Sequence, residues 1–244
     1  MGRLIATVLL VCALPRPLPA QLMTKLAPQA DRAFDHYIKN LESGLDWQPR
    51  VSVDAGTVKI VPGATESLVV LDGALIHDWR AAVVAPRARI EKLIALLQAY
   101  DGYPRHYAPQ VTAAKVYSHE GNIWRVFLKL YKKNVFTTNL NTDYDIEYRP
   151  LGPSRWGILS RSTKVAEIDD GRELPVGQGH GFLWRLNAYW VLEQRAEGVY
   201  IECRAISMSR DVPVALLWVV KPMLISVPRE SLQDTLEATV RALR

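Results

Sequence analysis

Between residues 111 and 209 the chain is one extended run after another, and this limits its fold more than anything else in the sequence. The runs are VTAAKVYSH, IWRVFLKLYKK, VFTTNLNTDYDIEYR, RWGILSRSTKVAEID, GFLWRLNAYW and VYIECRAISMS. All are rich in β-branched or aromatic residues, which favour strands. Turn chemistry joins them: EGN at 120–122, PLGPS at 150–154, DDGRELPVGQGHG at 169–181 and AEG at 196–198. Most of these connections are short, so sequential strands should pair as an antiparallel meander. The connection before Phe182 is the exception, long and rich in glycine.

Within GFLWRLNAYW the residues sort by parity. Phe182, Trp184, Leu186, Ala188 and Trp190 share one face of a strand, and Leu183, Arg185, Asn187 and Tyr189 the other. The first set should face a covering element, because leaving it in water forfeits about 2 kcal/mol per ring. Sequence supplies that cover. VPRESLQDTLEATVRALR, from Val227, places Leu232, Leu236, Val240 and Leu243 on one helical face, with Pro228 in the expected first turn. Glu230, Asp234 and Glu237 precede Arg241 and Arg244, the order the helix dipole favours.

Upstream, residues 24–43 carry a helical stripe through Leu26, Ala30, Phe34, Tyr37, Ile38 and Leu41. Residues 45–73 are broken by Pro49, Gly56, Pro62, Gly63 and Gly73 into short strands such as TVKIV. ALIHDWRAAVVA, 74–85, reads as a strand, and Pro86 suits the first turn of a helix over 86–100. The sum is an α+β architecture, a curved antiparallel sheet with helices gathered on one side. The expected division is 1–20 as a leader, 21–73 as an N-terminal extension and 74–244 as the main domain.

The leader follows from MGR, an eleven-residue apolar run, and PRPLPA: a signal peptide cleaved after Ala20. The run is shorter than the ~20 residues that span a bilayer. Cys12 is preceded by Val11, where a lipoprotein site wants a small residue. Cleavage removes Arg3 and Arg16 and no acid, lowering the formal net charge from +5 to +3. No Lys/Arg cluster with interleaved aromatics appears, so no nucleic-acid partner is expected. Cys203 is then the one remaining cysteine, without a disulfide partner in the mature monomer. The expected product is exported and soluble, to periplasm or medium. VPVALLWVVKPMLISVP, from Val212, is interrupted by Lys221 and Pro222; it reads either as a connector buried under the last helix or as a segment touching membrane transiently.

GFLWRLNAYW, GVYIEC, SMSRDVP and VPRESL together resemble a bacterial group, of undefined function, within the START-like superfamily (SRPBCC, Bet v 1-like). The topological resemblance covers 74–244 and is strongest in sequence over 177–236. It implies a helix-grip fold, in which a curved antiparallel sheet wraps a long C-terminal helix around an apolar cavity. It also implies a carboxylate where this chain has Arg204, so no site is built on that position.

The chemistry points to holding rather than converting. His36, His77, His106, His119 and His180 show no metal-ligand spacing, and no zinc motif or other cofactor signature exists. GQGHG at 177–181 is followed by a strand, not the helix a phosphate loop needs; it reads as a mobile lip beside a cavity mouth or as a simple bulged connection. Cys203 lies among apolar strand residues and reads as packing. The candidate ligand-binding residues are the aromatic wall Trp124, Trp184 and Trp190, with Arg185, Asn187, Tyr189, Glu202 and Arg210 as polar anchors. A cross-strand Arg185–Glu202 contact is one way to assemble them. Their alternative is a charge ladder on the convex face. The function that follows is a carrier or sensor for a hydrophobic small molecule, expected to be a lipid. Two alternatives are a cyclase- or hydrolase-type enzyme on the same fold and a non-catalytic envelope interaction module. Oligomeric state is not legible.

Overall fold

The computed structural model describes residues 23–133, 137–212 and 214–244. The proposed leader with Cys12 lies outside the described residues, as do most of the side chains on which a membrane-touching role for 212–228 depends.

The chain opens with β1 (Thr24–Lys25) and α1 (Pro28–Ser43), followed by β2 (Lys59–Pro62), β3 (Leu68–Leu71) and the long β4 (Ala74–Pro86). Next come α2 (Ile90–Gln98), a 3-10 turn at Tyr100–Gly102 and the short α3 (Tyr103–His106). The meander is β5 (Val111–Glu120), β6 (Ile123–Lys133), β7 (Thr137–Gly152), β8 (Arg155–Asp169), β11 (Arg185–Gln194) and β12 (Gly198–Arg210). Two-residue strands β9 (Arg172–Glu173) and β10 (Gln178–Gly179) sit in the long connection, and α4 (Val214–Ala242) ends the fold. The main sheet runs β2-β4-β12-β11-β8-β7-β6-β5, with β3 beside β2 on the same edge of β4 and β9 on β8. Each sequential pair of the meander is antiparallel, and β12 closes against β4. Register shifts in β5–β6 and β7–β8 bend these strands, as bulges do, and the sheet curves around α4.

Strand alternation gives the sheet two buried faces. On the concave face Trp79, Ala81, Val83, Ile201, Cys203 and Leu192 pack with Leu232, Leu236 and Val240 of α4 and with Ile90, Leu93 and Leu97 of α2. On the convex face Ile76, Leu159, Tyr189, Ile206 and Met208 pack under Ala30, Phe34 and Ile38 of α1. Val51 covers Ala82, Val84 and Tyr200 beside them. Thus the helices are not gathered on one side, because α1 carries an apolar stripe of its own and seals the outer face.

Two helix starts differ from expectation. Pro86 ends β4 opposite Gly198 instead of opening α2. There a Cβ on Gly198 would lie 2.0 Å from the Ala85 carbonyl oxygen, so glycine permits the close approach. The first α2 N–H, on Ile90, is instead satisfied by the Gln194 side-chain oxygen at 2.9 Å. The final helix begins at Val214 rather than Val227 and runs through Pro222 and Pro228. Interior proline costs about 3 kcal/mol. Leu224, Val227, Pro228, Ser231 and Leu232 keep helical spacing along the cavity wall, and further along α4 the buried Leu232, Leu236 and Val240 pack in the core, which offsets the loss.

Candidate functional site

The curved sheet and α4 do not meet along their whole length. Between them lies a cavity of about 680 Å³. Ile158, Leu186, Ala188, Trp190, Cys203 and Ala205 line its sheet side, and Leu224, Val227 and Leu232 its helix side. Tyrosines close one end. The Tyr148 hydroxyl donates to the Leu97 carbonyl at 2.7 Å, Tyr103 donates to the same oxygen at 2.6 Å, and the Tyr100 and Tyr148 hydroxyls are 2.8 Å apart. Leu97 is in the last turn of α2, where carbonyls lack helical partners. The cluster therefore caps α2 while presenting ring faces to the cavity. Burial pushes the Tyr100, Tyr103 and Tyr148 hydroxyls well above their ordinary range and those of Tyr107 and Tyr144 up to about 12. All five are neutral at physiological pH.

The opposite end is framed by Gly181, Phe182, Leu183 and Arg210. The GQGHG connection is pinned there rather than loose. Glu167, 4% exposed, accepts the His180 N–H at 2.6 Å, the Phe182 N–H at 3.0 Å and His180 Nδ1 at 3.1 Å. β10 pairs with β1, which fastens the connection to the N-terminal segment. Gly179 and Gly181 are required, because a Cβ would stand 2.5 Å from Glu167 Oε2 in one case and 2.7 Å from Arg210 Cβ in the other. At the rim, Lys132 Nζ and Gln110 Nε2 donate to Asp234 of α4 at 3.1 and 2.9 Å.

One stretch of inner wall is polar. His77, Ser207 and Ser209 line the cavity on β4 and β12, and Ser160 lines it on β8. His77 Nε2 lies 2.9 Å from Ser209 Oγ, and burial lowers the imidazole pKa to about 4. Burial likewise raises the Cys203 thiol well above its ordinary range, which leaves it an inert packing group, as its apolar neighbours suggest. Among the described residues no group of three or more His, Cys, Asp or Glu is placed to hold a metal.

Of the eight candidate residues, Trp190 and Arg210 line the cavity. Trp124 stands behind its closed end, stacked on His119 at 4.4 Å and tilted against Tyr100 at 5.5 Å. The other five belong to the convex face. Trp184 precedes β11, where strict alternation has not begun, and packs with Phe34 and Met208 under α1. Arg185 binds Asp31 and Asp35 of α1 at 2.6 and 2.8 Å and covers the Phe34 ring. Asn187 accepts the Ser162 N–H at 3.2 Å, and Tyr189 donates to Glu42 at 2.7 Å. Glu202 accepts the N–H groups of Arg50 and Val51 at 2.8 and 3.0 Å and is also bonded by Arg80 and Tyr200. An Arg185–Glu202 contact does not form, because the register places Met208 opposite Arg185 and Val191 opposite Glu202. The polar parity is a charge ladder on the convex face, roofed by the N-terminal segment instead of facing water. Arg204 belongs to it, held bidentately by Asp78 at 2.9 and 2.6 Å, with the Tyr37 hydroxyl on the same carboxylate.

The residues missed from sequence are His77, Ser160, Ser207, Ser209 and the tyrosines. His77 shares parity with Trp79, Ala81 and Val83, and Ser207 and Ser209 share parity with Ile201 and Cys203, so the alternation itself carried the signal.

No family model and no curated protein matches the sequence. Solved structures do match the fold. A STAR-related lipid transfer protein from Xanthomonas axonopodis is 18% identical, covering 73% of this chain and 98% of its own at a TM-score of 0.51. Human STARD10 is 12% identical, covering 89% of this chain and 81% of its own at 0.52. The Zhui aromatase/cyclase of a Streptomyces species is 15% identical over 69% of this chain and 93% of its own at 0.48.

Proposed function

From the START-like helix-grip fold that this chain has, we propose that it is an exported, soluble carrier or sensor that holds a hydrophobic small molecule, a lipid, between the sheet and α4. The observation that carries this reading is the cavity of about 680 Å³ with its apolar wall, which falls within the roughly 300–1,000 Å³ of small-molecule sites. A lipid chain burying ~300 Å² of apolar surface gains about 7 kcal/mol before ordering costs. That suffices for useful affinity without chemistry.

The state of the titratable groups supports holding over converting. A general acid or base works best with a pKa near the operating pH. Burial pushes His77 and five tyrosines of the wall away from it: His77 down to about 4, Tyr107 and Tyr144 up to about 12, and Tyr100, Tyr103 and Tyr148 higher still. An interaction module without a ligand would call for a filled interior, and this interior is open. Among the described residues no helix is long and apolar enough to cross a membrane.

Native mass spectrometry of protein purified from its own host tests the reading. A lipid-sized mass that stays bound in the gas phase and is lost after solvent extraction is expected. An empty chain that also takes up no added lipid overturns the proposal. Export is tested separately by N-terminal sequencing, with Gln21 as the expected first residue and retention of Met1–Ala20 on exported protein as the contrary result.

A further inference from the structure

The proposed lipid site has a polar feature that its apolar lining does not require. Ser207 is 8% exposed, lines the cavity, and its hydroxyl has no hydrogen-bond partner among the described residues. Beside it His77 Nδ1 is buried without a partner among these residues, and a buried polar atom left unmet costs about 1–3 kcal/mol. Ser207 stands directly opposite His77 in the β4–β12 ladder, and Ser209 follows on the same face, bonded to His77 Nε2 at 2.9 Å. Three neighbouring groups that donate and accept hydrogen bonds are thereby set into one place on the wall, among Trp79, Ala205, Ala188 and Leu186, with Ser160 opposite Ala188 on the next strand. Gly181, Phe182 and Arg210, which follows Ser209, place this strip next to the cavity mouth.

Resting on the carrier reading above, we infer that the ligand is an uncharged amphiphile whose hydroxyl, ester or amide head is held by Ser207 and the His77–Ser209 pair, with its chain running toward the tyrosine-closed end. The groups present are dipoles, and they suit a dipolar head. A carboxylate or phosphate brought to Ser207 would be buried beside an imidazole that burial keeps neutral, and an unpaired buried charge is far more costly than a paired hydroxyl. The cationic side chains among the described lining residues are already engaged: Lys132 with Asp234, and Arg210 with neighbours that include the His180 carbonyl at 3.5 Å. Both belong to the rim. The tail end, by contrast, offers ring faces whose hydroxyls are used up on Leu97, Thr239 and each other.

The test is competition against bound Nile red at pH 8 using four probes of one chain length: 1-oleoylglycerol, oleyl alcohol, oleate and the headless 1-octadecene. The glyceride and alcohol are expected to compete at least tenfold better than oleate. Ser207→Ala should weaken the glyceride and alcohol about fivefold, the loss of one neutral hydrogen bond, and leave 1-octadecene unchanged. Ser209→Ala should act in the same direction, and the melting temperature of each variant confirms folding. Equal competition by all four probes, a preference for oleate, or a Ser207→Ala effect shared by 1-octadecene overturns the inference and leaves the carrier reading standing. Failure of Nile red and of every probe to bind overturns both.

Discussion

On the outer face of β12, Glu202 is met by Arg80, Tyr200 and two backbone N–H groups, and Arg204 by both oxygens of Asp78. On the inner face, a few residues along the same strand, the cavity-lining Ser207 hydroxyl has no protein partner among the described residues, and the facing His77 Nδ1 is buried without one. Both faces are removed from bulk water, so burial does not distinguish them. Saturation does. Where the charged groups are answered by protein, as the carboxylate of Glu202 and the Arg204–Asp78 pair are, α1 and residues 45–62 cover them. Where apolar wall and unanswered dipoles border an open volume, the proposed ligand would complete it. On the proposed carrier function, the charged constellation serves stability and the neutral one binding, the reverse of what charge alone suggests.

The sharpest break of this contrast is at Glu202. Replacing it with Ala leaves the Arg80 guanidinium and the Arg50 and Val51 N–H groups without their buried acceptor. Removing one partner from a buried ion pair costs about 3–5 kcal/mol. For a chain of this size that is a fall of about 6–20 °C in melting temperature. Calorimetry should find it, while Nile red affinity of the folded fraction stays within twofold. A fully stable Glu202→Ala protein that had lost the ligand would exchange the roles of the two faces.

The second break is set by acidity and acts from inside. His77 has an ordinary pKa of 6.5 and is held at about 4 by burial, so between these values the unfolded chain binds a proton that the folded chain refuses. Stability then rises with pH across this window and is lost as pH falls through it. The whole window is worth about 3 kcal/mol, and roughly 2 kcal/mol of it should be gone by pH 5. Urea unfolding at pH 7 and pH 5 measures this directly. His77→Leu should flatten the difference over that interval, and an equally steep loss in the variant would place the titrating group elsewhere.

How much of this was legible in the sequence depends on the reach of each signal. Alternation is local, so the meander from Val111 to Arg210, the inward Trp190 and the opposed faces of His77 and Asp78 could all be read from the residues themselves. The sequence predicts the final helix from Val227 and not from Val214, because Pro222 and Pro228 look like boundaries where they are in fact interior to α4. The convex destination of Arg185, Tyr189 and Glu202 depended on partners more than 140 residues away, on α1 and at Arg50–Val51. No local period reports such partners. Trp184 departs from the expected face for a nearer reason, since parity counted through Gly181–Trp184 assumes a strand that begins only at Arg185. The open volume is the least legible feature, because it depends on a sheet and a helix failing to touch, and each sequence describes only its own surface.

The third break uses one substitution twice. Ala82 and Ala188 are both small residues in the middle of long strands, Ala82 on the outer face under Val51 and Tyr200, Ala188 on the inner face beside Trp190. Ala82→Trp must force its ring into a filled layer, which typically costs about 1–3 kcal/mol. Ala188→Trp has the cavity to enter, so its stability should stay within about 1 kcal/mol of the parent or rise as empty space is filled. Binding should move the opposite way. Ala82→Trp protein that folds keeps its affinity for Nile red, whereas Ala188→Trp loses at least tenfold, because the ring occupies the volume that the ligand needs. Denaturant midpoints paired with titrations of both variants decide the matter. Should Ala188→Trp be destabilised as strongly as Ala82→Trp, the two faces are equally full and the inner one has no room for a guest.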